Sequence, residues 1–98
     1  MDNGVCPFMV VAFDGLVKGD VLRFKEDLTL VCILKKKGPD LYLGWQPGMN
    51  TGTWLAVHRE DWERTDFLGN FRDELQTFRT LADQQKFVEQ HGGVLAIG

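Results

Sequence analysis

Apolar residues in this chain come in short blocks, each closed by glycine, proline or charge, some continuous and some alternating with period two. The least interrupted is Leu28-Thr29-Leu30-Val31-Cys32-Ile33-Leu34, which holds no charge, no Gly and no Pro. After Thr29 its apolar side chains stand at both parities. Both faces of this strand are therefore expected to be covered, which marks a central strand and not an edge. Lys25-Glu26-Asp27 bounds it on one side. On the other it is expected to extend through Lys35-Lys36-Lys37 to Gly38-Pro39-Asp40, where Gly and Pro set the backbone for a hairpin.

Four further blocks read as strands. Phe8 to Phe13 is the first, followed by the turn pair Asp14-Gly15. Val21 to Phe24 is the second, with Leu22 and Phe24 on one face and Arg23 on the other. Leu41 to Trp45 puts Leu41, Leu43 and Trp45 on one face and Tyr42 with Gly44 on the other. Gln46 to Gly52 is a loop by composition. Thr53 to His58 closes the series, with Leu55 and Val57 inward and Trp54, Ala56 and His58 opposite.

After His58 the pattern changes. Arg59 to Arg64 is charged around Trp62 and suits a single helical turn. Phe67-Leu68-Gly69-Asn70 reads as a turn with apolar anchors. Phe71, Leu75, Phe78 and Ala82 recur at helical spacing, so residues 71–79 form either a helix or a short strand over Leu75–Phe78. Thr80-Leu81-Ala82-Asp83 has the form of a capping box, with Asp in place of the usual Glu or Gln. A helix over Leu81–His91 follows, with Leu81, Val88 and His91 as its apolar stripe and Phe87 to the side. Gly92-Gly93 ends it, and Val94-Leu95-Ala96-Ile97 is a last strand or a docked tail.

The predicted fold class is α+β: a small antiparallel five-stranded barrel or strongly bent sheet, followed by a C-terminal helix. Ninety-eight residues fit one domain and leave no room for two independent cores. Residues 8–58 make up its β core, and residues 59–98 a helical extension with a short final strand. At 44% hydrophobic and 26% charged, the chain has enough apolar material to fold and is not of disordered type.

A resemblance enters at the N-terminal third. Ala12-Phe13-Asp14 followed by Leu16-Val17-Lys18-Gly19-Asp20-Val21-Leu22 resembles the ALYD and KGD-x-L segments of SH3 domains. Trp45, a Gly-rich loop and the Trp54–Val57 block follow in a similar order, so the resemblance covers residues 8–66. It implies an SH3-like barrel. Four residues separate Asp14 from Gly19, so the long RT loop is absent, as are the tandem Trp pair and the groove Pro. The resemblance thus implies the fold and not proline-peptide recognition.

Charge and chemistry narrow the function classes. The formal charge is −3; residues 1–45 hold six Lys/Arg and six Asp/Glu, and residues 46–98 hold five and eight. A general attraction to nucleic acid is not supported by that balance. Local basic residues still offer one alternative, a nucleic-acid interface built from Arg23, Lys25, Lys35, Lys36 and Lys37. The bland reading of the lysines is a solubilising hairpin tip. Cys6 and Cys32 are too few for a disulfide framework, and Cys32 lies in the most apolar strand. The polar start Met1-Asp2-Asn3-Gly4 is no secretory signal, so a cytoplasmic location is the simplest. No membrane span is expected.

No nucleophile–base pair, phosphate loop or metal spacing emerges, and no cofactor or metal is expected. His58 with Glu60 and Asp61 reads as a strand-end histidine beside a solvated charged stretch. What remains is a set of aromatics in the middle of the chain: Tyr42, Trp45, Trp54, Trp62 and Phe67. Rings beside polar loops give large contact area with few rotatable bonds, although Trp45 and Trp54 equally suit a core. The leading expectation is a non-enzymatic module that recognises a protein or peptide through this aromatic surface. Three alternatives stand beside it: the basic interface above, a ligand or enzyme pocket between barrel and helix, and association with a second copy of the chain.

Overall fold

The period-two blocks fold as strands because alternation gives each one an apolar face to bury. A computed structural model describes residues 12–96. It contains β1 (Asp20–Phe24), β2 (Leu30–Gly38), β3 (Leu41–Trp45), β4 (Leu55–His58) and β5 (Thr65–Asn70), with α1 (Arg72–Leu75) and α2 (Leu81–Gln90) after them. Short 3-10 turns cover Phe13–Gly15 and Arg59–Arg64. All strand pairs are antiparallel, in the order β4-β3-β2-β1-β5. The described residues thus form a small α+β fold: an antiparallel sheet with a C-terminal helix.

β2 lies in the middle of this order, and Leu30, Val31, Cys32 and Ile33 are all buried. They serve two cores, one on each face. Val31 and Ile33 join Leu22, Tyr42 and Val57 on the first face, where Phe13 and Leu16 also pack. Leu30 and Cys32 join Val21 on the second face, where Phe87 and Val88 of α2 cover them. The unbroken apolar run of β2 therefore reflects two-sided burial.

Several boundaries differ from the expectation. Of the block Phe8–Phe13, residues 8–11 lie outside the described residues, and Phe13 sits in a 3-10 turn. β2 starts at Leu30 because Leu28 is left-handed, with φ 65°, a conformation that a strand does not admit. β4 starts at Leu55, not Thr53. The largest correction is Phe67–Asn70, expected as a turn. It belongs to β5, which pairs with β1, so the sheet draws its fifth strand from beyond His58. Gly69 sets opposite Val21 and Phe67 opposite Leu22, which leaves Leu68 as the extra residue of a bulge. Gly69 has φ 132°, where glycine is favoured. The Leu-Gly-Asn signature thus marks an irregular strand.

The helical part of the chain follows the capping signals. Thr80 Oγ1 accepts from the Asp83 N–H at 3.2 Å, and the Asp83 carboxylate accepts from the Thr80 N–H at 3.1 Å. At the other end Gly93 N donates to Val88 O and Gly92 N to Glu89 O, the paired bonds of a Schellman motif. The expected stripe is corrected: Leu81 is 57% exposed, whereas Phe87 is buried with its ring edge-on to Phe71 and Phe78. Residues 71–79 hold only the single helical turn of α1 and a turn at Gln76 and Thr77 after it. The segment after α2 docks: Val94 bridges Thr29 in parallel and Ala96 N donates to Pro47 O at 3.0 Å.

Candidate functional site

The register of the central strands assembles a row of side chains on the second face. Val21 stands opposite Cys32, and Cys32 opposite Trp45. Continuing the β3–β4 register by one position, from Gly44 opposite Leu55, sets Trp54 across from Trp45. α1 and α2 cover the Val21 and Leu30 end of this face, while Trp54 remains 59% exposed. The uncovered part is a groove.

A bulge supplies one wall of the groove. Ile33 pairs with Gly44 and Lys35 with Leu43, so Leu34 is an extra residue without a direct partner. Bulges re-aim side chains in this way. Leu34 is 37% exposed and lines both basins of the groove. Trp45 and Leu75 are also shared between the two basins. The inner basin, about 220 Å³, runs between Cys32 and Gln76. The outer basin, about 370 Å³, runs between Trp54 and Phe78 and is closed by the Thr51–Thr53 loop.

Hydrogen bonds hold this loop and its flank in place. Trp45 Nε1 donates to Asn50 O at 3.3 Å, and Thr53 Oγ1 to the same carbonyl at 2.6 Å. Gly48 N donates to Gln84 Oε1 of α2 at 2.8 Å. Gly48 has φ 104°, and a Cβ there would stand 1.8 Å from Ala96 O. The loop is therefore fastened both to α2 and to the docked tail. Cys32, at the floor, has its thiol pushed up to about 12 by burial, so it packs as a small apolar group and not as a nucleophile.

The five rings singled out from sequence do not share one surface. Tyr42 is 1% exposed and belongs to the first core, edge-on to Phe13 at 4.9 Å between centroids. Trp62 is half-buried against that same core, 6.3 Å from Phe13. Phe67 lies on β5 opposite Leu22, at the other edge of the sheet. Trp45 and Trp54 both line the outer basin, on the opposite face. The parity of β3 already separated Tyr42 from Trp45. Leu34 and the wall residues Leu75, Phe78 and Arg79 carried no such signal, because a bulge and a helix–sheet contact leave no local pattern.

The basic residues are divided as well. Arg23 donates to His91 O at 2.9 Å and pairs with Asp66 at 3.5 Å. It stands opposite Leu30, at the far end of β2 from Lys35–Lys37. Six residues of strand put it roughly 20 Å from Lys36. Lys25 lies beyond Arg23, in the β1–β2 turn. Lys36 rests 5.8 Å from the Tyr42 ring centroid.

Arg59, at the start of the charged stretch, closes an exposed clasp. Arg59 donates to Asp40 through Nε at 2.6 Å and to both carboxylate oxygens of Asp14, at 2.6 and 3.2 Å. It also reaches Pro39 O and lies over the Phe13 ring at 4.9 Å. The Asp61 carboxylate turns back to accept from the His58 N–H at 2.9 Å. Among the described residues, no three His, Cys, Asp or Glu side chains form a group suited to a metal ion. No helix among the described residues is long and apolar enough to cross a membrane. No family model matches the chain, and neither a curated protein nor a solved structure does.

Proposed function

We propose that this chain is a non-enzymatic binding module that recognises a protein or peptide segment through the groove between its sheet and α1. The observation that carries the reading is the pair Trp45 and Trp54. One indole is anchored by its hydrogen bond, and the other is 59% exposed beside Leu34. A large exposed ring next to other uncovered apolar side chains marks an interaction surface more often than chance exposure does. An SH3-like fold for the sheet is part of this proposal. Its support is the return of β5 to pair with β1, which brings the end of the meander back to its start, and the 3-10 turn that links β4 to β5.

The test is selection of randomised displayed peptides on the immobilised full chain. Enriched peptides are expected to bind Trp54→Ala at least tenfold more weakly and Glu60→Ala, on the other face, equally well. Trp54→Ala should keep its unfolding free energy within about 0.5 kcal/mol, because an exposed side chain contributes little to folding. Absence of enrichment, or enriched peptides indifferent to Trp54→Ala, would remove the reading. A second reading is favoured by the outer basin, whose size falls within the range of small-molecule sites. It predicts that an apolar small molecule, found by fluorescence quenching of the two indoles, displaces the selected peptides.

A further inference from the structure

The groove has a charge pattern that the chain as a whole lacks. Lys18 and Arg72 line the inner basin and Arg79 the outer one. Among the described residues, no carboxylate lines either basin, in a chain of formal charge −3. All three cations are exposed, and none is in an ion pair among the described residues. Among the described residues, the Arg79 guanidinium makes only long bonds back to Gln76 O and Phe78 O, at 3.4 and 3.5 Å, and its charge also acts on the Asp83 carboxylate without an ion-pair contact. The remaining donors around the groove point the same way: Gln84 spends its oxygen on Gly48 N, which leaves its NH₂.

An apolar trough with two cations on its inner basin and one on its outer basin complements one kind of occupant. We infer that the groove takes a peptide segment with apolar side chains at its centre and carboxylates on both flanks, a deepening that rests on the proposed binding role of the groove. The apolar centre would seat on Leu34, Trp45 and Trp54. One acidic flank would meet Lys18 and Arg72, and the other Arg79. Facing charges steer encounter and fix the direction of approach more than they add affinity. Nucleic acid is the weaker fit. Three separated cations make no continuous track for a backbone.

Three displayed libraries share a randomised apolar centre and differ in flanks: Asp/Glu, Ser/Gln or Lys/Arg. The acidic-flanked library should enrich at least tenfold over the neutral one on the full chain. Its winners should lose binding at least fivefold between about 50 and 500 mM salt, since rim charges are screened. Arg79→Glu should shift enrichment toward basic flanks. Arg79→Gln, a milder change at an exposed position, should lower acidic-flank affinity several-fold without altering the unfolding midpoint. Equal enrichment of all three libraries, still abolished by Trp54→Ala, would overturn the charge inference while sparing the groove. Failure of all three would remove both. A labelled single-stranded RNA that displaces the acidic winners and binds more tightly than they do would show that the groove takes nucleic acid and not a peptide.

Discussion

Gly48 shows how a single residue ties the groove to the rest of the molecule. Its positive φ and its contact with Ala96 O leave no room for a side chain. Gly48→Ala is expected to cost about 2 kcal/mol or more, combining backbone strain with displacement of the docked tail. A urea titration should show the midpoint lowered by roughly 1 M; an unchanged midpoint would mean that the tail is not held there. Sequence marked this glycine as part of a loop and no more. Its requirement comes from Ala96, 48 positions away. The same holds for Trp45 and Trp54, which sequence left undecided between core and surface: strand parity placed Trp45, but its exposure depends on where α1 stops.

Elements divide by how local their signals are. α2 was readable because both of its ends carry their own chemistry: the Thr80–Asp83 box and the two glycines. Hydrogen bonds from the Arg79 and Thr80 N–H groups hold the Asp83 carboxyl below its ordinary 3.8. Thr80→Ala should remove about 1 kcal/mol and lower the melting temperature by roughly 4–8 °C in a chain of this size; circular dichroism melts at pH 7 measure it. β5 differs from the expected turn for the opposite reason. Its glycine and asparagine obey turn statistics, and only pairing with β1 overrides them. The helix stripe differs at Leu81, the first residue of α2, whose side chain stays 57% exposed while Phe87 and Val88 carry the burial.

At the scale of the whole molecule, the Arg59 clasp joins three distant parts of the chain: the turn at Asp14, the hairpin at Asp40 and the 3-10 turn that carries Trp62. The Arg59 hydrogen bond holds the Asp14 carboxyl below 3.8. A carboxylate with a depressed folded-state value contributes stability above its unfolded value and loses that contribution as pH falls through the folded one. The clasp should therefore be worth most above pH about 4. The stability gap between the wild type and Arg59→Gln should narrow as pH drops below 3.8, with urea midpoints from pH 2.5 to 7 as the measurement. A gap that stays constant across that range would show that Arg59 acts through its packing on Phe13 alone.

Sequence by itself determined what depends on neighbours a few positions apart: the strand blocks from Val21 to Trp45, the hairpin at Gly38–Asp40, the capped helix and the central place of the Leu30–Ile33 run. Alternation, turn chemistry and caps are short-range, so they survive in one dimension. Only the tertiary structure decided which rings meet, which cations line the groove and which strand pairs with β1. Those outcomes depend on register, on a bulge at Leu34 and on where α1 and α2 cross the sheet, and each is set by contacts between residues far apart in the chain.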